Sequence, residues 1–109
     1  MGGGYGDAML VAFSVAPAVA ADDTGSVSEA VAAAIRVVRE SGLPNRTDAM
    51  FTTVEGEWDE VMSVVKGAVD AVAAASPRVS LVLKGDIRPG FTGELDGKVA
   101  RIEGLLAAE

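Results

Sequence analysis

From residue 9 to 15 the chain alternates with a period of two. Met9, Val11, Phe13 and Val15 fall on one side, and Leu10, Ala12 and Ser14 on the other. The alternation predicts a strand, and because both sides are largely apolar both should be covered. Pro17 ends it, and residues 18–25 read as a loop. From residue 26 the period changes. Val27, Ala30, Val31, Ala34, Ile35 and Val38 form one helical stripe, with Arg36, Arg39 and Glu40 turned to water. Ser26 and Glu29 have the spacing of a capping box, while Gly42 and Pro44 supply the stop.

Residues 45–55 predict two short antiparallel strands with a reversal near residues 48–50; one longer bent strand fits the periodicity equally. The β-branched run Thr52, Thr53 and Val54 then meets Gly56. A second helix follows over 57–75, with Trp58, Val61, Met62 and Val65 at i, i+3, i+4 and i+7. Its acidic start, Glu57, Asp59 and Glu60, faces the positive end of the helix dipole. Gly67 within it costs about 1 kcal/mol against alanine, which points to close packing there. Residues 78–87 form the last strand, with Val79, Leu81 and Leu83 on one face. Leu95, Val99, Ile102 and Leu106 outline a C-terminal helix weakened by Gly97 and Gly104.

The order β-α-β-β-α-β plus a terminal helix predicts an α+β, ferredoxin-like domain over residues 8–109, with two helices on one face of a four-stranded antiparallel sheet. The Gly-rich residues 1–7 read as a disordered extension. The second face of the sheet carries apolar residues that one chain would leave exposed. A further copy of the chain is the simplest cover.

Charge and composition narrow the chemistry. Nine basic and sixteen acidic residues give a net charge of −7, which disfavours a nucleic-acid backbone as partner. The chain has neither cysteine nor histidine. Disulfides, thiol catalysis and Ser–His or Cys–His nucleophiles are therefore excluded within it, and an ordinary zinc site is disfavoured. The lack of cysteine fits a reducing compartment. The apolar run 8–21 resembles the core of a signal peptide. No Lys or Arg precedes Arg36, however, and fourteen residues are too few to span a bilayer. A cytoplasmic protein without a membrane segment is the expectation.

Several polar residues could carry function. Glu55 sits at a strand-to-helix corner, where it could cap the second helix or accept hydrogen bonds from a ligand amine. Thr52 and Ser14 could complete such a site, although each also suits an ordinary strand position. Trp58 reads as a hydrophobic anchor first and an aromatic ligand wall second. Lys84, Asp86 and Arg88 alternate near the end of the last strand. There they form a solvated edge, an anion site or an intersubunit ion pair.

The stretch Thr52-Thr53-Val54-Glu55-Gly56-Glu57-Trp58-Asp59-Glu60-Val61-Met62 resembles the thiamine-binding protein family (the YkoF-like proteins), whose pattern is Thr-x-x-Glu-Gly-x-Trp-Asp-Glu-Val-Met. The likeness extends from Met9 to about Leu106. It includes Ser14-Val15-Ala16-Pro17, Ser26-Val27-Ser28-Glu29, residues 35–42, and Arg78 with Lys84, Asp86 and Arg88. Phe51 stands where the family has glycine and Ala49 where it often has proline, so Phe51 could narrow or alter the pocket. The resemblance implies a non-catalytic homo-oligomer, as a dimer of dimers, that binds thiamine or its hydroxymethyl-pyrimidine moiety without metal or cofactor. Ser14, Phe51, Thr52, Glu55 and Trp58 would be its ligand residues. The rival expectation is an oligomeric sensor or scaffold that takes an anion or a partner protein through Lys84 and Arg88. A cofactor-free enzyme relying on Glu55 or Lys84 is the third.

Overall fold

The computed structural model describes residues 9–18 and 26–109. The extension 1–7, most of the loop after Pro17, and the side chains of Ser26 and Val27 with their expected capping box lie outside the described residues. Within them the order is β1 (Met9–Pro17), α1 (Ser26–Glu40), β2 (Asn45–Thr47), β3 (Thr52–Gly56), α2 (Trp58–Ala73), β4 (Val79–Ile87) and α3 (Glu94–Ala107). The four described strands make one antiparallel sheet in the order β2-β3-β1-β4. The arrangement is ferredoxin-like.

The period-two pattern of β1 becomes its burial pattern. Met9, Val11, Phe13 and Val15 are buried, and Leu10, Ala12 and Ser14 only partly so. The buried set meets α1 and α2. Ala30, Ala34 and Val38 of α1 interlock with Val61, Val64, Val65, Ala68 and Val72 of α2 over Val54 of β3. Many of these side chains are small, which lets the helices approach closely. A Cβ added at Gly67 would stand 2.9 Å from Val37 Cγ1, so the glycine inside α2 is a packing requirement.

Residues 45–55 form a hairpin, not one bent strand: Asn45, Arg46 and Thr47 pair with Val54, Thr53 and Thr52. The reversal is closed by the Asp48 N–H donating to the Phe51 carbonyl (2.8 Å).

Two expectations need correcting. Trp58 is not part of the buried stripe of α2: it stands at the helix start with 42 % of its surface exposed, and the stripe begins at Val61. Val31 and Ile35, expected within the stripe of α1, lie at its margin and are only half-buried.

The remaining apolar surface lies on β4 and α3. Among the described residues β4 pairs with β1 alone, and Leu81, Val82, Leu83 and Ile87 are each more than one-third exposed. α3 approaches β3 from the second face of the sheet, but Val99, Ile102, Leu105 and Leu106 are exposed along it.

Candidate functional site

Glu55 shows how the fold uses a polar residue that local sequence cannot place. It pairs with Leu10 in the β3–β1 register and so belongs to the second face of the sheet. Its carboxylate accepts the backbone N–H groups of Gly93 (2.5 Å), Glu94 (3.2 Å) and Leu95 (2.9 Å). These are donors that the first turn of a helix cannot satisfy internally, and the negative charge sits on the positive end of the dipole. Gly93 adopts φ 70°, a left-handed conformation that glycine enters without the Cβ penalty. Glu55 therefore caps α3. The helix that follows it in sequence, α2, has its own arrangement, in which the Glu57 N–H donates to Glu60 Oε1 (3.3 Å). A hollow of about 390 Å³ lies beside this corner, between Leu43, Pro44, Glu60 and the Thr92–Asp96 segment.

Two ion pairs tie α3 to the sheet, Arg46–Asp96 to β2 and Lys98–Asp86 to β4, and a third, Arg101–Glu94, lies within the helix itself. The Lys98 ammonium, hydrogen-bonded to Asp86, holds that carboxyl below its ordinary range. Arg101 does the same for Glu94, and Glu94 raises Arg101 in turn.

A second concavity lies at the hairpin end of the sheet. It measures about 210 Å³, and Ser14, Phe51 and Thr52 all line it. The strand alternation that buries Phe13 puts Thr52 opposite it on the helix-facing side. Thr52 is 4 % exposed, and its hydroxyl shares a hydrogen bond with that of Thr47 (3.2 Å). Val31 and Ile35 of α1 form an apolar wall, Phe51 and the highly exposed Met50 lie on the hairpin, and the exposed Asp48 borders both this cleft and the hollow beneath α3. Among the described residues Asp48 makes no ion pair.

Three of the five expected ligand residues thus converge on one cleft. Glu55 and Trp58 are not part of its lining. Asp48, Thr47, Val31 and Ile35 were not expected there. Asp48 reads in sequence as a turn former, and Val31 and Ile35 read as core. Their spacing gives no hint that α1 overhangs the hairpin.

The pair Lys84 and Arg88 is divided. Lys84 lies on the exposed β4 edge, whereas the Arg88 guanidinium is stacked 3.6 Å from the centre of the Phe91 ring. Among the described residues there is no group of three or more carboxylates placed to hold a metal ion, and no helix is long and apolar enough to cross a membrane.

The family described as thiamine-binding protein matches residues 11–103. The UPF0045 protein of Mycobacterium bovis is 57% identical over 99 residues, covering 90% of this chain and 94% of that one. Among solved structures, a hypothetical protein of Methanocaldococcus jannascii superposes with a TM-score of 0.77 at 30% identity, covering 89% of this chain and 97% of the other. A Thermotoga maritima protein assigned provisionally to thiamine biosynthesis or salvage superposes with a TM-score of 0.69 at 29% identity, covering 84% and 97%.

Proposed function

The chain belongs to the thiamine-binding protein family, and we propose that it binds thiamine or the hydroxymethyl-pyrimidine half of thiamine, without catalysis, in the hairpin cleft. The observation that carries this reading is the convergence of Ser14, Phe51 and Thr52 on one concavity. An aminopyrimidine is a flat ring edged with an amine donor and nitrogen acceptors. Phe51 and the Val31–Ile35 wall suit its faces, and the hydroxyls of Thr52 and Thr47 suit its edge. Asp48 offers an acceptor for the amine and a counter-charge for a thiazolium cation. The non-catalytic part rests on the absence of histidine and cysteine, which removes the commonest nucleophile–base pairs.

The reading extends to assembly and location. The apolar edge of β4 and the exposed apolar residues of α3 support a homo-oligomer, dimeric or a dimer of dimers. A cytoplasmic setting suits a chain without cysteine.

Calorimetric titration with thiamine and with hydroxymethyl-pyrimidine tests the proposal, using the wild type beside Thr52→Val. Valine keeps the shape and removes the hydroxyl, so binding should weaken by about 5- to 10-fold, the equivalent of one neutral hydrogen bond. Absence of any heat of binding at millimolar ligand, or equal affinities for the two proteins, would count against the cleft.

A further inference from the structure

We infer that the hairpin cleft continues into an anion subsite built by Arg36 and Arg39, so that the preferred ligand carries a phosphate ester. The inference rests on the reading of the cleft given above and adds to it the chemical class of the ligand.

Arg36 and Arg39 are three residues apart on α1, which brings their side chains to neighbouring positions on one surface of the helix. Both are exposed. Four other cations, Arg46, Lys66, Lys98 and Arg101, are each engaged by a carboxylate. Among the described residues Arg36 and Arg39 have no such partner, nor have Arg78, Lys84 and Arg88; what sets the first two apart is that they stand together. They face an open hollow of about 640 Å³ whose other walls are Ala32, Ile35, Glu40 and Thr47.

Ile35 and Thr47 also line the hairpin cleft, so the two spaces share a wall. Only one carboxylate, Glu40, stands against the two guanidiniums. This hollow is therefore locally positive on a chain whose net charge is −7. A guanidinium is planar and always charged, and its fork of donors matches phosphate oxygens two at a time.

Charge of both signs thus borders the two joined spaces. Asp48 stands at the border of the cleft, and Arg36 with Arg39 supplies positive groups beyond Thr47. A molecule with a cationic or amine-bearing ring at one end and a phosphate at the other would match both ends. Unphosphorylated thiamine matches only the first.

The test is a set of titrations with thiamine, thiamine monophosphate, thiamine diphosphate and inorganic phosphate, at low and high salt. The proteins are the wild type, Arg36→Gln/Arg39→Gln and Arg36→Lys/Arg39→Lys. Both arginines are exposed, so melting curves should confirm that the variants remain folded. Wild type should bind the phosphorylated forms about 10-fold more tightly than thiamine, the scale of one charge-assisted contact. That advantage should vanish in the glutamine variant, shrink in the lysine variant and fall with salt, while thiamine affinity stays unchanged.

If wild type binds thiamine and its phosphates equally, or the advantage survives in the glutamine variant, the anion subsite is overturned and the cleft reading stands. If the phosphates bind through the arginines while thiamine does not bind, the subsite holds and the ring site must be placed elsewhere. Absence of binding by all four ligands overturns both.

Discussion

The carboxylate of Glu55 on β3 and the amide of Gly93 at the head of α3 are separated by 38 residues and joined by a 2.5 Å hydrogen bond. With the amides of Glu94 and Leu95 on the same carboxylate, this junction seats a helix that buries few apolar side chains. Val99, Ile102, Leu105 and Leu106 all remain at least half exposed. α3 is held at its first turn mainly by charge and hydrogen bonding.

Glu55→Gln should loosen that seat. Glutamine retains one acceptor but turns an amide donor toward backbone donors and removes the charge that complements the dipole. The loss should be about 1–3 kcal/mol, concentrated in α3. Hydrogen exchange would show the amides of α3 losing protection before those of α1 and α2. Unchanged protection throughout α3 would mean that its seat depends on something other than Glu55.

Acid should act on the same element. The folded-state pKa values of Asp86 and Glu94 are both lowered, chiefly by hydrogen bonds from Lys98 and Arg101. A depressed carboxyl stabilises the fold fully above its unfolded value, about pH 4, and that contribution disappears as pH falls through the folded value. α3 protection should therefore be constant from pH 7 to 5 and decline below pH 4. Lys98→Met/Arg101→Met should flatten the decline. A profile identical in the variant would assign the acid sensitivity to other carboxyls.

Two glycine-to-alanine changes should have opposite signs. Each gains about 1 kcal/mol of helix propensity. At Gly104 of α3 nothing lies within 4 Å of the added methyl, whereas at Gly67 of α2 it would meet the β-branched Val37 at 2.9 Å. Gly104→Ala should raise the protection of α3. Gly67→Ala should lower the Tm, because α1 and α2 must move apart to admit it. A Tm increase for Gly67→Ala would show that this helix contact gives way easily.

The edge of β4 should be an association surface. Leu83 is 38 % exposed on a strand whose outer edge is unpaired among the described residues, and burying such surface contributes about 25 cal/mol per Å². The wild type should exceed the 11.0 kDa chain mass in light scattering at micromolar concentration. Leu83→Asp should shift it toward the monomer without abolishing the fold, since an exposed position tolerates a charge. A monomeric wild type would remove the case for oligomerisation; an unaltered variant would move the contact away from β4.

Much of the fold could be read directly from the chain. Met9, Val11, Phe13 and Val15 repeat every two residues and are the buried face of β1, because a strand turns successive side chains to opposite sides. Ala30, Ala34 and Val38 repeat at helical spacing and form the buried stripe of α1 for the corresponding reason. Gly67 in an otherwise good helix announced a close contact.

What sequence left open depends on neighbours distant in the chain. Periodicity places Trp58 in register with Val61 and Val65. How deeply each of these is covered depends on the tertiary packing of the helix, and Trp58 keeps 42 % of its surface exposed where Val61 and Val65 are buried. The cleft was legible in part: Ser14, Phe51 and Thr52 meet there, while Asp48, Val31 and Ile35 join them only because α1 overhangs the hairpin. Glu55 is the clearest case. Its local sequence offers α2 as the helix to cap, but strand register turns its carboxylate to the opposite face of the sheet, where α3 arrives with three unsatisfied amides. Local spacing determines which side of an element is apolar. Only the packed structure decides which distant group meets each polar atom, since that pairing depends on register, strand order and helix placement together.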